Sequence, residues 1–353
     1  MDTNEYKNDN DFEVLTYKVK ITDHPNADKL EIAHINDYQV VCGKGDFKTG
    51  DIVAYIPVDS VLPYPLIEEM GLSGKLGGDR RHRVCVKKIR GIYSYGLIHK
   101  VCEDVGVDVR EKLGILKYRD PEYNSIFVGR GDIPNYATYM PDRTLTLRIK
   151  NIKDKPNRFD EGEQVIITEK IHGRSLCVGM FGSVPIITDK RLSYRELVLI
   201  DNENNKDNMK MIMGKQILPI VQNIQLETGE LYIYFFGEMY GKDVQTTDYG
   251  LSQMHFRLFD IFIGKPDSGH YISFDEMIYM VQGILKTVPV LYRGQYNKDI
   301  VQKLTNGRSL LHDDIREGVV IKLDDPESRE RKILKSVSPE FQIRIHTSGS
   351  DWE

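Results

Sequence analysis

Cysteine is scarce in this chain. Its four copies among 353 residues, Cys42, Cys85, Cys102 and Cys177, include no CxxC pair and no zinc-ligand spacing. That argues against a thiolate metal site and for a compartment in which thiols stay reduced. Long apolar runs are missing too. No stretch reaches the roughly 18 residues of a membrane-spanning helix. The opening "MDTNEYKNDNDFEV" is polar and lacks the apolar centre of a secretory signal. The expectation is a soluble protein of the cytoplasm or nucleus with no membrane partner. Nor is there a basic surplus: 48 Lys and Arg against 53 Asp and Glu give a net charge of −5. Any polyanion surface must therefore come from local clustering.

What is present is enough apolar material for packed cores, 40% of residues, and length for about two domains. Residues 12–102 are β-rich: "FEVLTYKVKITDH", "YQVVCGKG", "DIVAYIPV", "HRVCVKKIRG" and "YGLIHKV" alternate with Gly, Asp and Pro turns. About five short strands at this spacing suit a small barrel. Basic residues crowd one part of it. Arg80, Arg81, Arg83, Lys87, Lys88 and Arg90, with His82, fill seven of the eleven positions 80–90, so contact with nucleic-acid phosphates is expected there. If one strand ran through them, alternation would send 81, 83 and 87 to one face and 80, 88 and 90 to the other.

Residues 103–140, with "GRGDIPNYATYMPD", are less regular and read as a linker. From 141 the texture changes. Strand-like runs recur at "QVIITEK", "SLCVGMF", "VPIITDK", "LYIYFFGEM", "FRLFDIFI" and "GVVIKL". Helical stretches lie between them: "RELVLIDNENNKDNMKMIMGKQILPIVQNI", expected to break near Gly214, and "SFDEMIYMVQGIL", where Ser273 and Glu276 make a capping box. The strands are too unevenly spaced for regular βαβ units, so the class is mixed α+β. The expected division is 1–105, a linker 106–140, and 141–353.

One stretch poses a chemical question. In "VIITEKIHGRSLCVGMF" an apolar strand ends by presenting Glu169, Lys170 and His172 before Gly173. A KxxG match alone means little, since roughly one arises by chance in such a chain; "KLGG" at Lys75 is another. What raises Lys170 is the ordered company that follows: "TDKR" ending in Arg191, "FFGEMYG" with Glu238, "FRLFDI" with Phe259 and Asp260, "EGVVIK" with Glu317 and Lys322, and "RKILKSVSPEF" with Lys332 and Lys335. Each charged group ends or interrupts an apolar strand, where a groove-lining side chain would sit.

These motifs, all within 144–341, resemble in order those of the covalent nucleotidyltransferases, the superfamily of ATP-dependent ligases and mRNA capping enzymes. The histidine of "KIHG" points to RNA ligases, because DNA ligases usually carry Asp there. "RIKN", with Arg148 and Asn151, and "YGKDVQTTDYG" resemble nick-sealing RNA ligases with an N-terminal OB domain. "RRHRVCVKKIRGIYSYGLI" resembles part of that domain, and "HPNADKL" at His24–Leu30 resembles tRNA-binding OB modules. The implied architecture is an OB-like β-barrel for nucleic acid, followed by a ligase-type adenylation domain of antiparallel sheets and helices.

The resemblance also implies roles. Lys170 would attack the α-phosphorus of ATP and carry AMP as a lysyl-adenylate. His172 and Lys335 would join it as catalytic residues, His172 in the later, RNA-dependent steps. Glu169 and Ile171 would flank the bound nucleotide. Glu238 would hold the ribose hydroxyls, Phe259 would stack on adenine, and Arg148, Arg191, Lys322 and Lys335 would meet phosphates. Glu317, with Glu238, would hold Mg2+ or Mn2+. The implied partner is RNA with 3′-hydroxyl and 5′-phosphate ends, expected as a nicked duplex, joined by a monomeric enzyme. Two positions depart from the pattern. Arg174 stands where a hydroxyl residue is usual, with Ser175 behind it. Lys332 and Lys335 lie three apart where a Lys-x-Lys pair is usual, and Val337 follows; of the two, Lys335 is the better match. A DNA ligase, a capping-type nucleotidyltransferase and a non-catalytic RNA-binding protein are the competing readings. The N-terminal place of the OB-like part speaks against a capping enzyme, and the intact Lys170, Glu238 and Glu317 speak against a decayed one.

Overall fold

The computed structural model describes residues 12–78, 81–118, 151–154, 157–188, 208–265, 268–325, 328 and 331–347. The chain divides into two compact units, Met1–Gly129 with Pro339–Glu353, and Arg130–Ser338. No helix among the described residues is long and apolar enough to cross a membrane.

The first unit holds ten short strands: β1 (Thr16–Lys18), β2 (Lys20–Asp23), β3 (Leu30–Ile35), β4 (Tyr38–Gly43), β5 (Ile52–Ile56), β6 (Ser60–Val61), β7 (Lys87–Ile89), β8 (Ile92–Ser94), β9 (Leu97–Lys100) and β10 (Leu116–Lys117). They pair antiparallel as β1-β5-β9, β2-β3-β4, β6-β10 and β7-β8. β5 is apolar on both sides, because it divides two cores. Ala54 and Ile56 pack with Val14, Leu62, Ile67, Val84, Val109 and Ile115, whereas Val53 and Tyr55 pack with Val19, Ala33, Ile35, Val40 and Ile98.

Residues 106–118, which the sequence reading places in the linker, are fastened to this unit. The Thr16 N–H donates to the Val107 carbonyl at 3.0 Å. β10 pairs with β6, and Val109 and Ile115 are buried. Their apolar side chains are few and set among Gly, Asp and Lys, so no strand or helix period marks them. Residues 119–140 lie outside the described residues.

The second unit is built on β11 (Gln164–Lys170), β12 (Arg174–Phe181), β13 (Val184–Thr188), β14 (Tyr232–Gly241), β15 (Met254–Ile263), β16 (His270–Tyr271), β17 (Val290–Gln295), β18 (Gly318–Leu323) and β19 (Ile333–Val337). Two antiparallel sheets result, ordered β17-β11-β18-β19 and β13-β12-β14-β15-β16. Consecutive strands β11 and β12 belong to different sheets, so residues 171–173 are the point where the chain crosses between them. The architecture is the mixed α+β expected. The helices Asn208–Thr228 and Phe274–Val281 supply Met213, Ile217, Val221, Ile224, Met277 and Val281 to the core on one face of the second sheet. Ser273 and Glu276 form the reciprocal cap read from the sequence: the Glu276 N–H donates to the Ser273 hydroxyl and the Ser273 N–H to the Glu276 carboxylate. The first helix, however, does not break at Gly214; it runs unbroken past it and past Pro219. A side chain at Gly214 would collide with Ile187 of β13, so this glycine serves close helix–sheet packing and not chain reversal.

If residues 106–118 are core and not linker, Ile115→Ala should lower unfolding free energy by about 2–5 kcal/mol, the usual cost of truncating a buried aliphatic. Urea denaturation followed by circular dichroism measures it; an unchanged midpoint would reject the assignment.

Candidate active site

Strand alternation sorts the first sheet. Val165 and Ile167 of β11, Val319 and Ile321 of β18 and Leu334 of β19 enter the core with Phe159, Tyr296 and Val301. Ile166, Thr168 and Lys170 therefore face the other way. Their cross-strand partners are Lys322, Val320 and Gly318, and beyond those Ile333, Lys335 and Val337. Lys170, Lys322 and Lys335 thus share one face.

The second sheet is sorted in the same manner. Leu176, Val178, Phe235, Met239, Leu258 and Ile261 go to the core under the helices, leaving the row Ser175–Glu238–Arg257 on the opposite face. A register shift interrupts β15: Phe236 pairs with Asp260 but Gly237 with Leu258, so Phe259 is the extra residue of a bulge. Bulges re-aim side chains in this way. The Lys322 ammonium donates to the Phe259 carbonyl at 2.5 Å and to Asp260 Oδ1 at 2.6 Å, and lies 5.7 Å from the Phe259 ring centre. The charged face of one sheet here meets the charged face of the other.

Lys170 stands where the chain leaves the first sheet. Gly173 has room for nothing larger, since a Cβ there would overlap the Met239 carbonyl and crowd Glu238. The glycine of KxxG thus lets the loop that follows Lys170 lie directly on β14. Lys170 Nζ donates to Glu317 Oε2 at 2.7 Å, and His172 Nδ1 is 3.8 Å from the same oxygen. Burial alone would lower the Lys170 ammonium, but the carboxylates of Glu317 and Glu238 outweigh it and hold the pKa above its ordinary value. Burial would likewise raise the Glu317 carboxyl, yet Lys170 and His172 pull it down to about 2. The pair is a charged one, ammonium to carboxylate, in a site with little water.

The His172 N–H donates to the Tyr249 hydroxyl at 2.6 Å, and His172 Nε2 lies 3.1 Å from Thr246 Oγ1. Tyr249 is buried, with its ring 5.1 Å from Tyr240 and 4.5 Å from His312, both edge-on. Burial pushes its phenol well above the ordinary range, so it stays protonated.

Several expected nucleotide contacts are otherwise employed. The Glu169 side chain is 2% exposed, and its carboxylate accepts from the Ser309 hydroxyl and, at 2.7 Å, from the Leu310 N–H. Ile171 is buried with Tyr240, Tyr249 and Val288. Both side chains fasten the end of β11 and the loop after it to the protein. Lys322 is no free phosphate ligand: Asp260 takes its ammonium on one oxygen and Arg331 on the other, with Arg331 stacked 3.7 Å over Tyr271. Burial lowers the Lys322 pKa and Arg331 adds to that, against Asp260. Lys332 donates to Glu163 at 2.5 Å, while Lys335 lies in β19 between Val320 and a parallel bridge to Asn151. Arg148 and Arg191 lie outside the described residues. No cluster of three His, Cys, Asp or Glu side chains suited to a metal occurs among the described residues. A hydrated divalent ion bound mainly by substrate phosphates needs only one or two carboxylates, and Glu317 and Glu238 fit that requirement.

In the first unit the basic cluster is not one strand. Residues 81–86 form isolated bridges at Arg83 and not a continuous strand, and the hairpin β7–β8 begins at Lys87, so a single alternation over 80–90 does not apply. Arg83 is bound to Asp59 at 2.6 Å and stacks 3.6 Å from the Tyr118 ring centre, a structural post. Arg81, Lys87, Lys88 and Arg90 are exposed, and Arg80 lies outside the described residues. The "HPN" of His24–Asn26 holds this hairpin: buried His24 Nε2 is 3.2 Å from the Ile89 carbonyl, and the Asn26 amide donates to the Arg90 carbonyl at 2.9 Å.

Thr246, Tyr249 and Ser309 escaped the sequence reading as individual residues. "YGKDVQTTDYG" flagged the segment of the first two; nothing in "NGRSLLHDD" flags Ser309.

The comparisons fit this geometry. A family profile described as RNA ligase matches residues 163–337, and an OB-fold domain profile matches 15–101. The chain therefore consists of an OB-fold domain followed by a domain that belongs to the RNA ligase family. Among solved structures, an RNA ligase of Naegleria gruberi matches in two forms. A lysine-to-alanine mutant with ATP and manganese is 22% identical with a TM-score of 0.72, covering 94% of this chain and 99% of that one. The form with pyrophosphate is 22% identical with a TM-score of 0.73, covering 94% and 98%. At such identity the likeness establishes the fold. Two curated relatives are phenylalanine–tRNA ligase beta subunits. That of Fusobacterium nucleatum is 24% identical over 222 residues, 61% of this chain and 23% of that subunit. That of Syntrophotalea carbinolica is 36% identical over 85 residues, 23% and 8%. The chain thus spans less than a quarter of the length of either subunit.

Buried Asp260 neutralises two half-buried cations, Lys322 and Arg331. Asp260→Ala should cost about 3–5 kcal/mol, the scale for stripping one partner from a buried pair, measured by guanidinium denaturation. A loss under about 1 kcal/mol, the scale of a surface pair, would show that water already screens the cluster.

Proposed function

We propose that this chain is an ATP-dependent RNA ligase that joins 3′-hydroxyl and 5′-phosphate ends, working as a monomer on nicks in duplexes. The carrying observation is Lys170, placed where the chain crosses between two sheets, with Nζ 2.7 Å from the Glu317 carboxylate and His172 beside it. Membership of the RNA ligase family and a fold shared with a ligase studied with ATP and manganese support the reading. The likeness to tRNA ligase subunits favours RNA as the partner.

The chemistry follows from the pair. With its carboxyl at about 2, Glu317 holds the Lys170 ammonium without taking its proton. When Glu317 is drawn elsewhere, Lys170 loses the carboxylate that holds its pKa up, gives its proton to water and becomes a nucleophilic amine. A divalent ion, when bound, would neutralise nucleotide phosphates, with Glu317 and Glu238 as its protein ligands. Lys170 Nζ then forms a bond to the α-phosphorus as the bond to the β-phosphate oxygen breaks, and pyrophosphate leaves. In the second step an RNA 5′-phosphate oxygen takes the AMP, the N–P bond breaks and Lys170 regains a proton. A 3′-hydroxyl then attacks the 5′-phosphorus and AMP departs. Glu238 serves the ribose, Phe259 the adenine, and Lys335 a phosphate, where charge builds in transfer. The hairpin carrying Lys87, Lys88 and Arg90 supplies sequence-independent contacts to the strand.

Incubation with α-labelled ATP and magnesium or manganese should label the protein. Lys170→Met should abolish labelling, and Glu317→Gln should slow it by about 10²-fold or more, the scale for losing one electrostatic stabiliser. Wild-type labelling of either variant rejects that residue's role. A panel of nicked duplexes with RNA or DNA at each end identifies the substrate. Replacing Lys88 and Arg90 with alanine should weaken binding for all sequences and reduce the salt slope by about 2; an unchanged slope would remove the hairpin from the interface.

His172→Ala should still form lysyl-adenylate but transfer AMP poorly, because an imidazole beside the departing lysine can donate a hydrogen bond or proton near neutral pH. Single-turnover transfer from pre-adenylated protein to a nicked duplex separates the steps. Rapid transfer by the variant would show that His172 has no such part.

A further inference from the structure

The segment between β14 and β15, residues 242–253, is a surface turn built around two buried side chains. Val244 is buried in the core beneath the second sheet, and Tyr249 is buried among Ile171, Tyr240 and Val288. Tyr249 holds a positive φ of 58°, and the next residue is Gly250, also at positive φ, whose N–H donates to Asp248 Oδ1. A non-glycine residue in this region signals a conformation that its surroundings enforce. What the enforced turn presents is Thr246, exposed itself, with Oγ1 3.1 Å from His172 Nε2. Tyr249 takes the His172 backbone N–H at 2.6 Å. One turn thereby grips the histidine at both its main chain and its ring, from 77 and 74 positions away in sequence.

The two grips differ in reach. The Tyr249 hydroxyl fixes the main chain two residues from Lys170, so it bears on every step that uses that lysine. Thr246 touches only the ring. Its bond to Nε2 fixes the rotation of the imidazole and keeps Nδ1 directed at Glu317, 3.8 Å away. The Thr246 hydroxyl bonds to the ring and not to Lys170 or Glu317, so the direct 2.7 Å pair between those two does not depend on it.

We propose that Thr246 is a positioning residue for the second chemical step: by orienting the His172 ring it aids transfer of AMP from Lys170 to the RNA 5′-phosphate, while leaving formation of the lysyl-adenylate untouched. Tyr249 is a positioning residue for both steps. This rests on the ligase reading above.

The test uses the full chain with Thr246→Ala, Thr246→Ser and Tyr249→Phe. Thr246→Ala should form lysyl-adenylate within about twofold of wild type and transfer AMP to a nicked duplex about tenfold more slowly, equivalent to about 1.4 kcal/mol. The effect should fall on the single-turnover rate constant and not on the duplex concentration at half-saturation. Thr246→Ser, which keeps the hydroxyl, should restore transfer. Tyr249→Phe should slow both steps. Thermal melting should place Thr246→Ala beside wild type, since the side chain is exposed. Transfer by Thr246→Ala at the wild-type rate overturns the proposal and leaves the ligase reading standing, as does equal slowing of both steps or failure of the serine variant to rescue. Absence of any lysyl-adenylate on the wild-type protein overturns the ligase reading itself.

Discussion

The site depends on one ion pair with nowhere to go. A half-buried ammonium where the chain crosses between two sheets carries a desolvation cost, and a partner at hydrogen-bond distance offsets it. Glu317 is that partner for Lys170, at 2.7 Å. The pair constrains the rest. It requires the end of β11 and the residue before β18 to meet, which the antiparallel register provides by setting Lys170 opposite Gly318. It requires Gly318 at that junction, because any side chain there would overlap the Ser336 carbonyl of β19. It also keeps the lysine protonated, and a protonated amine has no lone pair to offer.

The same logic recurs around the lysine face. Lys322 is parked on Asp260 and Lys332 on Glu163. A cation needed for phosphate binding costs less to deploy when it exchanges one anion for another than when it is stripped of water on each encounter. Exchange is easiest where the resident partner is itself wanted elsewhere. Glu317 meets that condition if a divalent ion competes for it. Asp260 does not: it holds Arg331 as well as Lys322, and releasing one cation leaves the other dependent on it. The geometry therefore separates two of the lysines on this face: Lys170, whose single carboxylate partner could be drawn away, and Lys322, whose partner also holds Arg331.

Much of this was legible in the sequence, for reasons that can be named. Lys170 ends β11, Glu238 lies within β14 and Glu317 immediately precedes β18; the strands lie where the apolar runs indicate, and period-two burial predicts the face that Lys170 and Glu238 take. The capping box at Ser273 is a local, three-residue signal and it holds. Where reading failed, the deciding contacts were distant. Gly214 looks like a helix breaker until Ile187 of another element is seen pressing on it. Lys322 looks like a phosphate ligand because nothing near it in sequence reveals Asp260, 62 positions away. Phe259 could be distinguished from Phe256 and Phe262 only by its motif; the bulge that re-aims it is a register event between two strands, invisible in either alone. Residues 106–118 were lost for the opposite reason, too few apolar positions to show a period.

The OB-fold unit makes the same point about positioning by remote contacts. Exposed Lys88 and Arg90 would be weak phosphate ligands on a loose hairpin, because ordering long side chains and their backbone costs entropy that each surface contact barely returns. The His24 ring and the Asn26 amide hold two consecutive carbonyls at the hairpin tip, Ile89 and Arg90, and the Gln39 amide and the Ser94 hydroxyl tie its second strand to β4. Arg90 itself sits at a positive φ of 47°, next to Gly91 at 87°, a tight turn that these bonds keep from unwinding. With the backbone already ordered, only side-chain freedom would remain to be lost if a phosphate bound there. The "HPN" segment and the basic run are 64 residues apart in sequence, yet they form one device: the first sets the shape, the second carries the charge.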